Sequence, residues 1–584
     1  MEQQGGAGMI LQSLVQLYED LAKKGGQFRP GWGVSKVSYA LCLNDEGDII
    51  QSVSLKDEQL RGNKTVLLPR EMSVPAPVKR SVGIVPNFLC DHSGYLLGVD
   101  NKGNAQRSLE CFAACRAFHE EILSGVDSAA AKAVLAFFSK WKPENAKECE
   151  ALLENFDDIT SGVNLVFQYY EGVFVLDDPL IGEAWQKRQS SCEGKESRIC
   201  LVTGETAPVA KLHPSIKGIQ GAQSSGASLV SFNAPAFCSY RWEQGSNAST
   251  SEYAASAYGA ALNYLISDRE HTTYIGDTIV LFWALGAEVQ YQSAFGSFAF
   301  GFDSKYTDND LRGMMSSLCK GNPVEFDEAK LDPNREFYVL GIAPNAARLS
   351  VRFFMHGTFG NIIQNVKAHY DRLEIEKPSF KTGELTLWRI LNETVNENSR
   401  DKSASPQLSG ELLRSILNDS RYPATLLNGI VLRIRAEHDI PYEKAAILKA
   451  YYLKNKHKDV PEEVLTVSLN RESSNPAYVL GRLFSVLEDI QKAANPGINA
   501  TIKDKYFNSA SATPAVVFPT LINLSQKHIK KLEYWEQVKF EKQMGEIMSL
   551  LHEEFPSRLT LPQQGAFQLG YYHQTQARYT NANK

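Results

Sequence analysis

The residues best suited to do chemistry lie in one short run. From Lys211 to Ser228 the chain reads Lys-Leu-His-Pro-Ser-Ile-Lys-Gly-Ile-Gln-Gly-Ala-Gln-Ser-Ser-Gly-Ala-Ser, with two Lys, two Gln, four Ser and three Gly in eighteen residues. Glycines let a backbone come close to a phosphate, which then accepts from amide N–H groups and Ser hydroxyls such as those of Ser224 and Ser225. Lys211 and Lys217 add salt-dependent attraction. Gln220 and Gln223 can enter a groove or meet a base edge. This chemistry is recognition of a nucleic acid, although a structural Gly/Ser loop carries the same residue types.

Two other stretches share that character. Lys79 and Arg80 precede Gly83 and the Pro86-Asn87 turn. The two cations suit phosphate contact and Asn87 suits a base edge, against a plain solvated basic pair. Arg433, Arg435, Lys503, Lys505, Lys527, Lys530 and Lys531 fall on C-terminal helical text. A solvated helix face explains any one of them; together they favour a track for a single strand.

Catalytic signals are weak. The chain lacks a G-x-x-x-x-G-K-[ST] phosphate loop, and His119-Glu120-Glu121 lacks the second His of a zinc protease helix. A calcium loop starting at Asp308 would place the cation Arg312 at a ligand position and Cys319 where the bidentate Glu belongs, so a polar surface turn is expected. Cys192 and Cys200 are too widely spaced for a zinc pair, with only His213 nearby, and Cys111 and Cys115 have the spacing of core packing. The pairs Asp157-Asp158 and Asp177-Asp178 read as solvated loop charge, since neighbours on a strand point to opposite faces. No catalytic residue, metal or cofactor is expected.

These candidates need elements to hold them. The 584 residues exceed one compact core, so two to four domains are expected. Hydrophobic residues at 43% and charged residues at 22% fit a folded soluble chain. No apolar run is long enough to span a membrane, and no signal pattern opens the chain. Residues 1–8 read as an appended tail ahead of a start at Met9. Nine cysteines without a tight framework read as reduced, which with the missing signal gives a cytoplasmic address. The net charge of −6 confines nucleic-acid contact to local basic patches.

The fold expected is α+β: a mixed α/β region over 9–393, a linker over 394–408 and a C-terminal helical bundle over 409–584. A helix is expected over Ile10–Ala22. Strands are expected over Val37–Leu43 and Ile49–Leu55 around the turn Asn44–Asp48, and helical text runs over Ser108–Ser139. Strands over Glu336–Ile342 and Arg348–Phe354 with a helix over Asn361–Leu373 make a β-β-α unit. Leu412, Leu413, Ile416 and Leu417 have helical spacing, as do Leu480, Leu483, Phe484, Leu487 and Ile490, and Phe540, Met544, Ile547 and Leu551.

Several ordered blocks carry a family resemblance. They are Met9-Ile10-Leu11-Gln12, Lys79-Arg80 with Pro86-Asn87-Phe88-Leu89, Cys200–Glu205, Leu212-His213-Pro214 through Ser231–Phe237, Glu252-Tyr253-Ala254, Gly276-Asp277-Thr278, Phe282-Trp283-Ala284, Leu340–Phe353, Gly481–Phe484, Asn499–Ile502, Ala510–Pro514 and Gly570–Gln574. From Met9 to about Gln574 the chain resembles the Csd-type large subunit of type I-C CRISPR surveillance complexes (Cascade). Cys238 departs from the pattern, which has a polar or acidic residue there.

The resemblance implies a subunit at the foot of a crRNA-guided complex, beside backbone and foot subunits. Such a subunit checks the protospacer-adjacent motif in double-stranded target DNA, helps begin strand separation, holds the displaced single strand and docks a helicase-nuclease. Guide pairing reads the target sequence, a division of labour also found in another effector class. Arg348 and Arg352 join the nucleic-acid-binding candidates through their family-like block. The C-terminal part resembles the small subunit, which in this subtype can also arise by internal translation; a start near Val460–Leu469 is expected. The alternatives are a metal-dependent nuclease and a purely structural assembly subunit.

Overall fold

The computed structural model describes residues 6–24, 29, 31–61, 64–78, 80, 83–101, 103–190, 196–286, 289–302, 305–396, 398–400, 402–551 and 554–582. The chain forms two compact units. The first comprises Met1–Asp268 with Pro344–Ser350, and the second comprises Arg269–Ala343 with Val351–Lys584.

The first unit is built on a six-stranded sheet. Its strands are β1 (Trp32–Leu43), β2 (Ile49–Ser54), β3 (Lys56–Arg61), β4 (Lys64–Pro75), β5 (Cys90–His92) and β6 (Asn164–Tyr169), in the order β3-β4-β1-β6-β5 with β2 also paired to β1. β1 changes character along its length. Exposure alternates through Lys36, whereas Val37 to Leu43 are all buried, as suits a strand covered on both faces. The expected hairpin between β1 and β2 is present, with Asn44 Oδ1 accepting from Asp48 N at 2.8 Å. Gly47 is obligatory there: its φ is +78° and a Cβ would lie 2.3 Å from the Phe137 amide nitrogen. The text over Ser108–Ser139 forms two helices, Ala105–Leu123 and Ala129–Lys140, whose Cys111, Phe112, Cys115, Phe137 and Phe138 fill the core with β1 and β6.

Two further helices complete the unit. Gly6–Lys23 packs on Glu252–Ser267, with the Tyr18 and Tyr253 rings edge to face at 6.4 Å. Ser251 caps the second helix, its Oγ accepting from Ala254 N at 3.1 Å. Between 196 and 250 the chain is mostly irregular, with one small hairpin of β7 (Ser197–Ile199) and β8 (Thr206–Pro208).

The second unit holds a four-stranded antiparallel sheet and the helices. β9 (Thr272–Ile275), β10 (Thr278–Ala284), β13 (Glu336–Asn345) and β14 (Arg348–Thr358) lie in the order β14-β13-β10-β9; β11 (Val324–Phe326) and β12 (Ala329–Leu331) form a separate ribbon. With the helix Phe359–Leu373 this is the expected β-β-α unit, its strands longer than periodicity indicated. Residues 344–350, the turn between β13 and β14 with the strand ends beside it, count with the first unit.

After residue 380 the described structure is helical, as the spacing predicts. One apolar core runs from Phe282, Phe295 and Phe337 through Leu412, Ile416 and Ile430 to Leu480, Phe484 and Phe567. The 394–408 stretch lies inside this unit, and its last residue, Leu408, is buried in the helix Pro406–Leu417. The helices Pro476–Ala494 and Leu561–Ala582 cross backbone to backbone. A Cβ on Gly481 would sit 1.9 Å from the Phe567 carbonyl oxygen, and one on Gly570 would sit 2.1 Å from that of Tyr478. The family-like blocks at these glycines therefore record a packing requirement.

Candidate nucleic-acid interface

The glycine-serine run forms a closed loop. Ile216 and Ala227 exchange both backbone hydrogen bonds, at 2.8 and 2.9 Å, and so join its ends. Ile216 and Ile219 are buried and anchor it. Lys217, Gln220, Gln223, Ser224 and Ser225 are all exposed along it, and Lys211 is exposed ahead of it. Gly218, Gly221 and Gly226 take φ of +81°, +83° and +95°, which is how so short a loop turns its backbone outward.

Two supports hold the loop. The Lys217 amide donates to Asn263 Oδ1 at 3.0 Å, on the helix Glu252–Ser267. Beyond the loop, Ser228 N donates to the Ala347 carbonyl and Leu349 N to the Ser228 carbonyl, each at 3.0 Å. Arg348 therefore stands at the foot of the loop although 120 residues separate them in sequence. Its guanidinium lies 3.8 Å over the Phe237 ring and donates to Asn233 Oδ1.

A second loop, residues 239–244, follows Phe237 in the chain. Arg198 stacks at 3.5 Å over Trp242, and Asn247 bonds the backbone at Ser239, Trp242 and Gln244. Between them Tyr240 is 91% exposed. Reading by residue type missed Tyr240, Arg241 and Trp242; the available signal was their aromatic–arginine alternation in a segment poor in helix formers.

The other candidates are more constrained. Lys79 lies outside the described residues. Arg80 makes a bidentate pair with the buried Asp91 carboxylate, donates to the Val85 carbonyl at 2.6 Å and stacks at 4.0 Å on Tyr95. Asn87 spends its Oδ1 on Val78 N at 2.9 Å. Leu89, at φ +55°, donates its N–H to His119 Nε2 at 2.9 Å, and His119 Nδ1 meets the Cys115 carbonyl at 2.8 Å. Burial brings the His119 imidazole down to about 4, so it is a neutral core group. This segment is a tightly braced turn.

In the second unit Arg352 pairs with Asp277 at 3.2 Å, and Lys503 pairs with Asp439 at 2.7 Å while its side chain is 17% exposed. Arg433 pairs with Glu437 and Arg435 donates to Gln564. Lys505, Lys527, Lys530 and Lys531 are exposed.

The catalytic alternatives find other roles. Asp308–Cys319 is a helix rather than a surface turn or a calcium loop, opened by a capping box between Thr307 and Asp310. Asp157 and Asp158 lie on a short helix, not a strand, and Asp158 pairs with Lys56 and accepts from Tyr39. Asp178 accepts from Leu180 N and from Ser128 Oγ. Cys192 lies outside the described residues. Cys200 Sγ accepts from Val202 N at 3.4 Å and Ser251 N at 3.2 Å; burial pushes its thiol up, but the bonds from Ser251 and Thr203 outweigh this and bring it to about 7. Among the described residues no three His, Cys, Asp or Glu side chains are grouped to hold a metal ion, and no helix is long and apolar enough to cross a membrane.

The folded chain thus carries an exposed irregular segment beside a sheet and helices in one unit, and a sheet continued into a helical bundle in the other. The model of the family described as CRISPR-associated protein (Cas_Csd1) matches residues 14–579. The chain belongs to this family, a class of CRISPR-associated proteins. It is a Csd-type large subunit of type I-C Cascade. A search of curated proteins finds no match.

Proposed function

We propose that this Cascade subunit recognises the protospacer-adjacent motif in duplex DNA through the loop 217–226. The observation that carries the reading is the loop's closure at Ile216 and Ala227, which buries two isoleucines and leaves Lys217, Gln220, Gln223, Ser224 and Ser225 exposed. The two Gln suit base edges, and the Ser, Lys and glycine backbone suit phosphates. Having bound the motif, the subunit aids strand opening and R-loop formation, holds the displaced strand along the bundle and helps recruit the helicase-nuclease. It works in the cytoplasm within a crRNA-containing complex of backbone, foot and small subunits, and it is not itself an enzyme.

The test is Gln220→Ala with Gln223→Ala in the assembled complex. Binding to motif-bearing duplex should weaken while assembly is unchanged. Parental affinity in the double variant would remove the reading. Magnesium- or manganese-dependent DNA cleavage by the purified chain would remove the non-catalytic part.

A further inference from the structure

The loop from Ser239 to Gln244 holds an aromatic ring in the open by means of a disfavoured backbone. Tyr240, Arg241 and Gln244 have φ of 51°, 66° and 46°, a region that residues with a Cβ avoid. Such conformations persist only where the surroundings over-determine them. Here the Ser239 N–H donates to Asn247 Oδ1 at 2.8 Å, and Asn247 Nδ2 donates to the Trp242 and Gln244 carbonyls at 3.0 and 2.9 Å. The Trp242 N–H closes the turn on the Ser239 carbonyl at 2.9 Å. Rings to either side are pinned under guanidinium groups, Phe237 beneath Arg348 and Trp242 beneath Arg198.

The product of these restraints is Tyr240, 91% exposed, followed by the exposed Arg241. Open to solvent, the ring has its faces available for stacking. The surroundings favour a polyanion with π-faces over a protein. Arg241 follows Tyr240 in the chain, and Arg348 and Arg198 stack on the flanking Phe237 and Trp242, against Glu243 and the Glu196 that pairs with Arg198. An aromatic face among cations stacks any nucleobase while the cations meet its phosphates.

We propose that Tyr240 is a stacking platform for a nucleobase released where the duplex next to the loop 217–226 opens, with Arg241 on the adjoining phosphate. The proposal rests on the reading that this loop faces duplex DNA. Arg348 links the two: its strand neighbours bond Ser228 at the foot of that loop while its guanidinium covers Phe237. Tyr240 captures a base after it leaves the helix, so it acts on opening and not on docking.

The test uses guide-loaded complex carrying Tyr240→Ala, Tyr240→Phe or Tyr240→Trp. Docking is the affinity for motif-bearing duplex that the guide cannot pair. Opening is the rate at which 2-aminopurine, placed in the first base pairs beside the motif of a complementary target, changes fluorescence. Docking and melting temperature should match the parent in all three variants. Opening should slow about 5- to 150-fold in the Ala variant, the range for losing one base–aromatic stack, and stay near parental with Phe or Trp. Parental opening in the Ala variant would overturn the proposal. So would a Phe variant as slow as Ala, which would point to the hydroxyl. Loss of the Ala variant from the assembled complex would mean that the ring docks a protein. Failure of the motif reading appears separately, as equal docking of parental complex on motif-bearing and scrambled duplex, and the opening rates of the variants still decide the role of Tyr240.

Discussion

The guanidinium of Arg348 lies 3.8 Å above the ring of Phe237, while the backbone on either side of Arg348 bonds Ser228. One arginine thus braces two surfaces and keeps an edge toward solvent. Arg348→Ala should weaken duplex binding on every sequence and lower the slope of log affinity against log salt by about one, the signature of a lost phosphate contact. Gln220→Ala should instead relax the preference for the motif. Salt titrations on motif-bearing and scrambled duplex separate the two, and an unchanged slope in the Arg348 variant would make it purely a brace.

Lys503 and Lys505 differ in freedom. Lys503 is engaged by Asp439, with its ammonium 5.4 Å from the Tyr571 ring, whereas Lys505 is exposed. Charge reversal at Lys505 alone should therefore reduce protection of the displaced strand nearly as much as reversal at both. Footprinting of that strand checks this, and full protection in Lys505→Glu would remove the bundle as its track.

The helix crossing at Gly481 and Gly570 leaves no room for a methyl group. Gly481→Ala or Gly570→Ala should destabilise the second unit by about 1–3 kcal/mol, the usual cost of overpacking, or more because the obstacle is backbone. Urea melts of the full chain measure it. Gly545→Ala, on the helix Tyr534–Met548, meets no atom within 4 Å and is the control.

Acid should unfold this protein early. Burial holds His119 and His213 down to about 4, and His369 and His573 down to about 3. Their folded values lie below the ordinary 6.5, so the unfolded chain binds more protons between the two. Stability is then full above pH 6.5 and is lost as pH falls toward 4, at about 1.4 kcal/mol for each unit of depression per histidine. Urea midpoints at pH 7.5, 6.5 and 5.5 should drop mainly across the last interval. His119→Phe should lower the midpoint at every pH, since the Leu89 N–H loses its acceptor, yet flatten its dependence on pH.

How far residue patterns reveal this fold depends on what each element buries. The helix Pro476–Ala494 was legible because Leu480, Leu483, Phe484, Leu487 and Ile490 stripe it. The ribbon of β3 and β4 was not: Leu67 is 57% exposed there, and without a buried face no alternation is imposed. β6 was missed because a short apolar run beside a parallel neighbour carries no period. The division after Asp268 follows a helix end without linker composition. Within the site, glycine and serine content announced the loop 217–226. The freedom of Arg80 and Lys503 depended on Asp91 and Asp439, contacts that spacing does not show. Tyr240 was hidden because left-handed backbone is signalled by glycine or asparagine, not by tyrosine.

The meeting of Gly481 with Gly570 also sets a rule for the reading frame. The first and last helices of the final bundle close on each other, so a ribosome must translate both to make a piece that closes alone. A start between Val460 and Leu469 precedes the helix Pro476–Ala494 and keeps the pair; a start at Met544 leaves Gly570 facing nothing. The earlier start also discards Tyr452, against which Gly565 packs. A product made there would leave Gly565 without the Tyr452 ring that packs on it in the full chain.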